Sequence, residues 1–337
     1  MFDVFELHRQ LVASARPSSL EQTGIAQALT ELVRPYVDEV FVGGMDNMIC
    51  HKKGPGKKVM LSAHMDAIGF IVTRIDKDGF VYINTVGHHN AAQVVNCRVR
   101  FLNGVKGVIR PRNSAENTAG TWSEMSFDKV YLDIGASCYE EAAALIRIGD
   151  MALFEGEPRR VAGNRVMGPY ADDLIGCVAL LRTMEQVKES DYDIYCVFSS
   201  QEEVGCRGAR SAAQIIEPDI AIACDVCGTG DTPDRDRNPR VLSIGKGPTL
   251  KLRDDGVYCT PGLNARLREI AEQNGIPTQV EMMFGGHTDT MPMQQAVPTV
   301  EVTGVSILTR HIHSPAETYD ITDVEQTAAL LAAFLNH

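Results

Sequence analysis

The chain has 337 residues, 44% hydrophobic and 23% charged, the profile of a globular protein in water, long enough for two domains or for one large domain with an insertion. Its net charge of −12 argues against nucleic acid as the main partner, because phosphates need a basic face. No run approaches the roughly 18 apolar residues of a membrane span.

The opening Met1-Phe2-Asp3-Val4-Phe5-Glu6-Leu7 carries acid and no basic n-region, so it reads as an amphipathic helix and not as a secretion signal. A break at Pro17-Ser18-Ser19 precedes a helix predicted over residues 21–37, with Ile25, Leu29, Leu32 and Val33 at helical spacing. A strand is predicted over residues 39–42, a turn at Gly43-Gly44, and then a strand ending at His64. From Ala67 to about Arg165 the texture changes to short strand-like runs such as Phe70-Ile71-Val72-Thr73, Phe80-Val81-Tyr82-Ile83 and Arg98-Val99-Arg100-Phe101. Asp78-Gly79, Asn103-Gly104 and Pro111 punctuate them, which suggests a small β-rich unit. Residues 113–127 read as a polar loop and 140–146 as a short helix.

After Gly168 an α/β rhythm returns. A helix is predicted over residues 172–187, with Leu174, Val178, Leu181 and Met184 on one stripe. A buried strand over 193–199, a helix near 209–215 and a strand over 220–224 follow. The last helix is expected to start on Thr322 as N-cap, with Glu325 completing a capping box, and to bury Leu330, Leu331 and Phe334. We therefore expect one α/β domain built from both ends of the chain, with a β-rich insertion between. The nine cysteines are odd in number and scattered singly, as reduced thiols of a cytosolic protein would be. Cys224 and Cys227 have C-x-x-C spacing without a second pair, so they read as small buried residues flanking Asp225.

The chemistry gathers where apolar runs stop. His64-Met65-Asp66 ends one such run, and Asp66 is suited to partner a metal-ligating imidazole. Asp172-Asp173 opens a helix, where Asp also serves as an N-cap. Glu202-Glu203 ends a strand before the small-residue turn Val204-Gly205-Cys206-Arg207-Gly208. Adjacent side chains diverge, so one carboxylate of that pair can bind metal while its neighbour handles a proton. Asp225 caps the apolar strand Ile220-Ala221-Ile222-Ala223-Cys224. His311 and His313 lie before Pro315, and spacing does not say which would be a ligand. Functional groups of open α/β sheets gather at carboxyl ends of strands. Packed together without a cation, these acids would repel and take up protons. Two divalent ions, zinc, cobalt or manganese, would suit the oxygen and imidazole donors.

The ordered set resembles the cocatalytic metallo-aminopeptidases that include glutamyl aminopeptidase and the tetrahedral aminopeptidases. The resemblance spans essentially the whole chain: Ala63-His64-Met65-Asp66-Ala67-Ile68-Gly69-Phe70, Asp133-Ile134-Gly135-Ala136, Asp172-Asp173 with Gly176, and Gln201-Glu202-Glu203-Val204-Gly205 with Arg207-Gly208-Ala209. It continues through Asp225-Val226, Gly245-Lys246-Gly247-Pro248, Thr288-Asp289 and Arg310-His311-Ile312-His313-Ser314-Pro315. It implies a zinc-peptidase-like mixed sheet flanked by helices, formed by residues 1–66 and 166–337. It implies as well a PDZ-like dimerisation domain over residues 67–165. It assigns His64 and Asp225 to one metal, Glu203 and His313 to the other, and Asp172 as the bridge. Glu202 would be the general base and Asp66 would orient His64.

The resemblance further implies a homo-oligomer, as dimers or a tetrahedral dodecamer, acting on peptides in the cytoplasm. Leu174, Leu308 and His311 depart from the usual Arg, Pro and aromatic residue of the family, which touches pocket shape more than the reaction. The alternatives are an N-acyl amino acid deacylase or carboxypeptidase of the same architecture, or a glycoside hydrolase working through two carboxylates without metal.

Overall fold

The computed structural model describes residues 3–112, 125–233 and 242–336. Helices α1 (Val4–Ser14) and α2 (Ile25–Val33) lead into strands β1 (Glu39–Val42), β2 (Met48–Lys52) and β3 (Lys58–His64). Next come β4 (Gly69–Ile75), β5 (Val81–Val86), α3 (Ala91–Val94), β6 (Arg98–Phe101), β7 (Lys106–Pro111), β8 (Val130–Asp133), α4 (Tyr139–Leu145) and β9 (Met151–Phe154). Strands β10 (Arg159–Arg160) and β11 (Arg165–Gly168) precede α5 (Ala171–Gln186), β12 (Asp193–Ser199), α6 (Arg207–Ile216) and β13 (Ile220–Gly228). The chain closes with β14 (Thr249–Arg253), α7 (Pro261–Gln273), β15 (Gln279–Met282), α8 (Thr290–Ala296), β16 (Glu301–Thr309), β17 (Glu317–Asp320) and α9 (Ile321–Leu335).

Eight strands form one mixed sheet in the order β1-β2-β12-β3-β13-β16-β14-β15. Its centre, β12-β3-β13-β16, is parallel throughout. Parallel strands are covered on both faces, so they need unbroken apolar runs. Accordingly, β3 is buried from Val59 to His64, and β13 from Ile220 to Cys227. Helix α5 lies against β3, β13, α1 and α9, and it is buried from Ala171 to Met184. A helix apolar nearly all round belongs in such an interior.

The β-rich stretch folds into a closed six-stranded barrel, β4-β5-β8-β7-β6-β9. Strand side chains alternate between faces. Val81 and Ile83, Val99 and Phe101, and Val130 and Leu132 point inward and are buried. Closure leaves no free strand edge. A third sheet, β10-β11-β17, ties residues 159–168 to the strand before the last helix.

Two helical expectations need correction. The helix expected over 21–37 is α2 flanked by 3-10 turns at Glu21–Thr23 and Arg34–Tyr36, and Pro35 lacks the N–H that a continuing helix requires. Helix α9 is capped by Asp320 and not by Thr322: the Thr322 N–H donates to Asp320 Oδ1 at 3.0 Å. Strand β17 delivers Asp320 directly to the helix start, and Asp caps at least as well as Thr. Leu330, Leu331 and Phe334 are buried as expected. Of the polar segment 113–127, residues 113–124 lie outside the described residues. Among the described residues no helix is long and apolar enough to cross a membrane.

Candidate active site

The parallel register gathers the polar groups on one edge of the sheet. Strands β3 and β13 pair from Val59↔Ile220 to Ser62↔Ala223, so His64 and Asp225 each lie two residues further on. His64 also pairs with Ser199, the last residue of β12, and Glu202-Glu203 follow in the next turn. Asp172 stands at the start of α5, and His313 in the turn between β16 and β17.

Asp172 lies between the two imidazoles. Its Oδ1 is 3.0 Å from His64 Nε2, and its Oδ2 is 3.2 Å from His313 Nε2. Glu203 Oε2 is 3.4 Å from the same His313 nitrogen. One ligand atom each of His64, Asp172 and Glu203 fall within 4.8 Å of one another, and so do those of His64, Asp173 and Asp225. His311, in contrast, is exposed. The geometry thus separates two histidines that spacing alone leaves equivalent.

Asp66 does more than face His64. Its carboxylate is 3.5 Å from His64 Nδ1, whereas the closer contact to that nitrogen, 3.1 Å, is the Asp66 carbonyl. The carboxylate accepts from the backbone N–H of Glu202 at 3.0 Å and of Glu203 at 3.3 Å, and from Ser18 Oγ at 2.5 Å. It therefore fixes the loop that carries both glutamates. Three further acids are buried here whose positions the sequence leaves without a role. Asp173 accepts from the His64 N–H at 3.1 Å and the Gly176 N–H at 3.2 Å. A Cβ at Gly176 would collide with that carboxylate, so only glycine fits. Glu317 accepts from the Asp172 N–H at 2.9 Å and the His313 N–H at 2.8 Å, holding both sides of the site with one side chain. Asp289 accepts from Ser62 and Ser199 hydroxyls on β3 and β12.

The electrostatics call for a cation. Burial, with Asp172 alongside, pushes the Glu203 carboxyl well above its ordinary range. Burial pushes Asp225 up to about 7, against the pull of His64. Burial also pushes Glu202 up, with Asp225 and Asp289 adding to the effect. Asp172 runs the other way: burial opposes its charge, but the bonds to His313 and His64 hold it below the usual range. Glu203 Oε1 is buried with no hydrogen-bond partner. Crowded carboxylates, two imidazoles and an unpartnered oxygen are the donor set that a divalent ion satisfies.

These groups open onto a cavity of about 650 Å³ lined by His64, Asp172, Glu202, Glu203, Asp225 and His313 together with Met283, His287 and Ile312. The turn leaving the barrel reaches its rim: His88 lines the cavity, and Gly87, at φ +79°, leaves no room for a side chain against Ile68 and Glu203. Cys224 and Cys227 are buried on either side of Asp225, as expected.

A family model described as M42 glutamyl aminopeptidase matches residues 46–330. The lysyl aminopeptidase of Pyrococcus furiosus is 35% identical over 341 residues, covering 98% of this chain and 96% of that protein. Among solved structures, an aminopeptidase of the archaeon Desulfurococcus kamchatkensis superimposes with a TM-score of 0.94 at 31% identity, over 99% of this chain and 94% of the other. A TET1 peptidase of Pyrococcus horikoshii, described as assembling into a tetrahedron or a large octahedral shell, gives a TM-score of 0.86 at 26% identity, over 98% of this chain and 99% of the other.

Proposed function

The chain belongs to the M42 glutamyl aminopeptidase family and is a peptide hydrolase, and from that premise we propose how its residues divide the work of removing N-terminal residues from short peptides. His64 and Asp225 would hold one divalent ion, Glu203 and His313 a second, and Asp172 would bridge them. Zinc is the first choice, with cobalt or manganese as alternatives. When bound, such a pair lowers the pKa of a water and polarises the scissile carbonyl. The observation that carries this reading is Asp172, whose two oxygens face different histidines.

Glu202 would take the proton of the attacking water and pass it to the departing amine nitrogen. Burial and its acidic neighbours raise its proton affinity, which suits a group that must hold a proton between those two events. Asp66 would keep Glu202 aimed through the backbone bond, and Glu317 would keep Asp172 and His313 in register. Changing Glu202 to Gln preserves size and polarity but removes the base. We expect kcat to fall by roughly 10²–10⁴ with metal content unchanged. A variant that cleaves peptide amides at the native rate would sink the assignment. Comparing free with N-blocked peptides tests the amine requirement, because a deacylase or carboxypeptidase would accept the blocked form.

We further propose that residues 1–66 and 166–337 form the catalytic domain and residues 67–165, which contain the barrel strands, a dimerisation domain. The shell described for the Pyrococcus horikoshii relative supports a homo-oligomer of the same kind here. All nine cysteines are free, which supports a reducing, cytoplasmic setting.

A further inference from the structure

Beside the proposed pair lies a second cluster, of which the peptidase reading uses only Glu202. One ligand atom each of Glu202, Cys206 and Asp289 lie within 4.8 Å of one another. Cys206 and Asp289 are each only 2% exposed. The Cys206 thiol donates to Glu202 Oε1 across 2.9 Å. Asp289 is anchored through Oδ2, which accepts from Ser62 and Ser199, while its Oδ1 is buried with no partner at all. Leaving a buried carboxylate oxygen unsatisfied costs more than an ordinary hydrogen bond contributes. Two carboxylates this close also repel unless a cation joins them. Glu202 and Cys206 both line the cavity, so an ion entering it meets them directly.

We propose that Glu202, Cys206 and Asp289 form a third metal site, distinct from the proposed pair, which takes a thiophilic divalent cation such as zinc and inhibits the enzyme when filled. A tetrahedral zinc with sulfur at about 2.3 Å and oxygen at about 2.0 Å sets its ligand atoms roughly 3.3–3.5 Å apart. The Cys206 sulfur and the Glu202 oxygen already lie within that reach at 2.9 Å, a ligand atom of Asp289 lies within 4.8 Å of theirs, and a thiolate favours soft ions over magnesium or calcium. On binding, the Cys206 S–H bond breaks, the proton leaves to solvent, and a sulfur–metal bond forms with no change of oxidation state. The Glu202 oxygen that accepted the thiol hydrogen bond then faces the ion and is lost to proton transfer. This inhibition rests on Glu202 being the base; the binding does not.

Cadmium added to the enzyme with its catalytic metals in place tests both parts. The proposed pair uses only imidazole and carboxylate, so thiolate-to-cadmium charge-transfer absorption does not come from it, and the part of that absorption lost in Cys206→Ser reports the third site against the eight other free thiols. Expected is a Cys206-dependent absorption that saturates at one ion per chain, with peptidase activity falling in step. Cys206→Ser keeps a hydroxyl donor for Glu202 but loses the thiolate, and its cadmium affinity should drop at least about tenfold, the lower end of what losing even an outer partner does to a metal site. Asp289→Asn should weaken the same absorption. Absorption that is absent, or unchanged in both variants, overturns the site. Saturating, Cys206-dependent absorption that leaves activity untouched overturns the inhibition and speaks against Glu202 as base, while activity that needs no free amine would count against the peptidase reading alone.

Discussion

The barrel and the carboxyl edge of the large sheet solve opposite problems with the same kind of secondary structure. Between residues 69 and 154 every buried side chain among the described residues is apolar. At the sheet edge the chain instead buries His64, Asp66, Asp172, Asp173, Glu203, Asp225, Asp289 and Glu317. Burying a charge is costly unless it is paired. The barrel therefore follows the rules for stability, and the sheet edge breaks them at the proposed site. Apolar runs inside β3 and β13 support that departure from below, because they fix the strand ends on which His64 and Asp225 sit.

The largest effect that would break this contrast lies in the barrel. Phe101 is fully enclosed there, and Phe101→Ala should reduce stability by about 3–5 kcal/mol through lost burial and a cavity. Denaturant unfolding reads the loss. At a temperature where the variant is still folded, kcat should stay near native; a large drop would mean that the barrel shapes the site.

Next comes acid. His8 on α1 is buried and bonded through Nδ1 to Tyr319 Oη at 2.9 Å. Burial pushes it from 6.5 down to about 4, so the unfolded chain takes up a proton that the folded chain refuses. Its contribution is intact above pH 6.5 and is lost as pH falls toward 4, by roughly 3 kcal/mol. His8→Asn should flatten that part of the stability–pH curve. If the wild-type and variant curves run parallel from pH 7 to 4, His8 is not the sensor.

The smallest effect is at the site's support. Asp66→Asn keeps the shape but turns one acceptor into a donor facing the Glu202, Glu203 and Ser18 donors. Activity should fall about 10–100-fold, or roughly 1.4–2.7 kcal/mol, mostly in kcat and with the metal largely retained. A change confined to KM would show that Asp66 does not aim the base.

Much of this edge is legible from residues alone, because His64, Glu203 and Asp225 each follow an apolar run that has to be a central strand. Closure of the barrel is not, since β8 pairs with both β5 and β7 and β9 with both β4 and β6, and no local pattern encodes those partners. Spacing leaves His311 and His313 equivalent, and it is the family resemblance that singles out His313; both have φ near +60°, and the path of the turn sends that one inward. Glu317 stayed hidden for a different reason. It stands in the short β17, Glu317-Thr318-Tyr319-Asp320, and both partners that give it a role are backbone N–H groups, which no side-chain motif announces. The Asp320 cap was misplaced by two residues because Thr322 and Glu325 also satisfy the capping pattern.

The order of the strands has a consequence for biosynthesis. His64 leaves the ribosome well before His313 and Glu317, which meet Asp172 from the opposite side. At about 5–20 residues per second the interval is roughly 10–50 s. Once Asp225 has been made, the nascent chain carries most of the site's acids without their second imidazole, and a peptide-cutting centre of this design stays incomplete until His313 and Glu317 have been added.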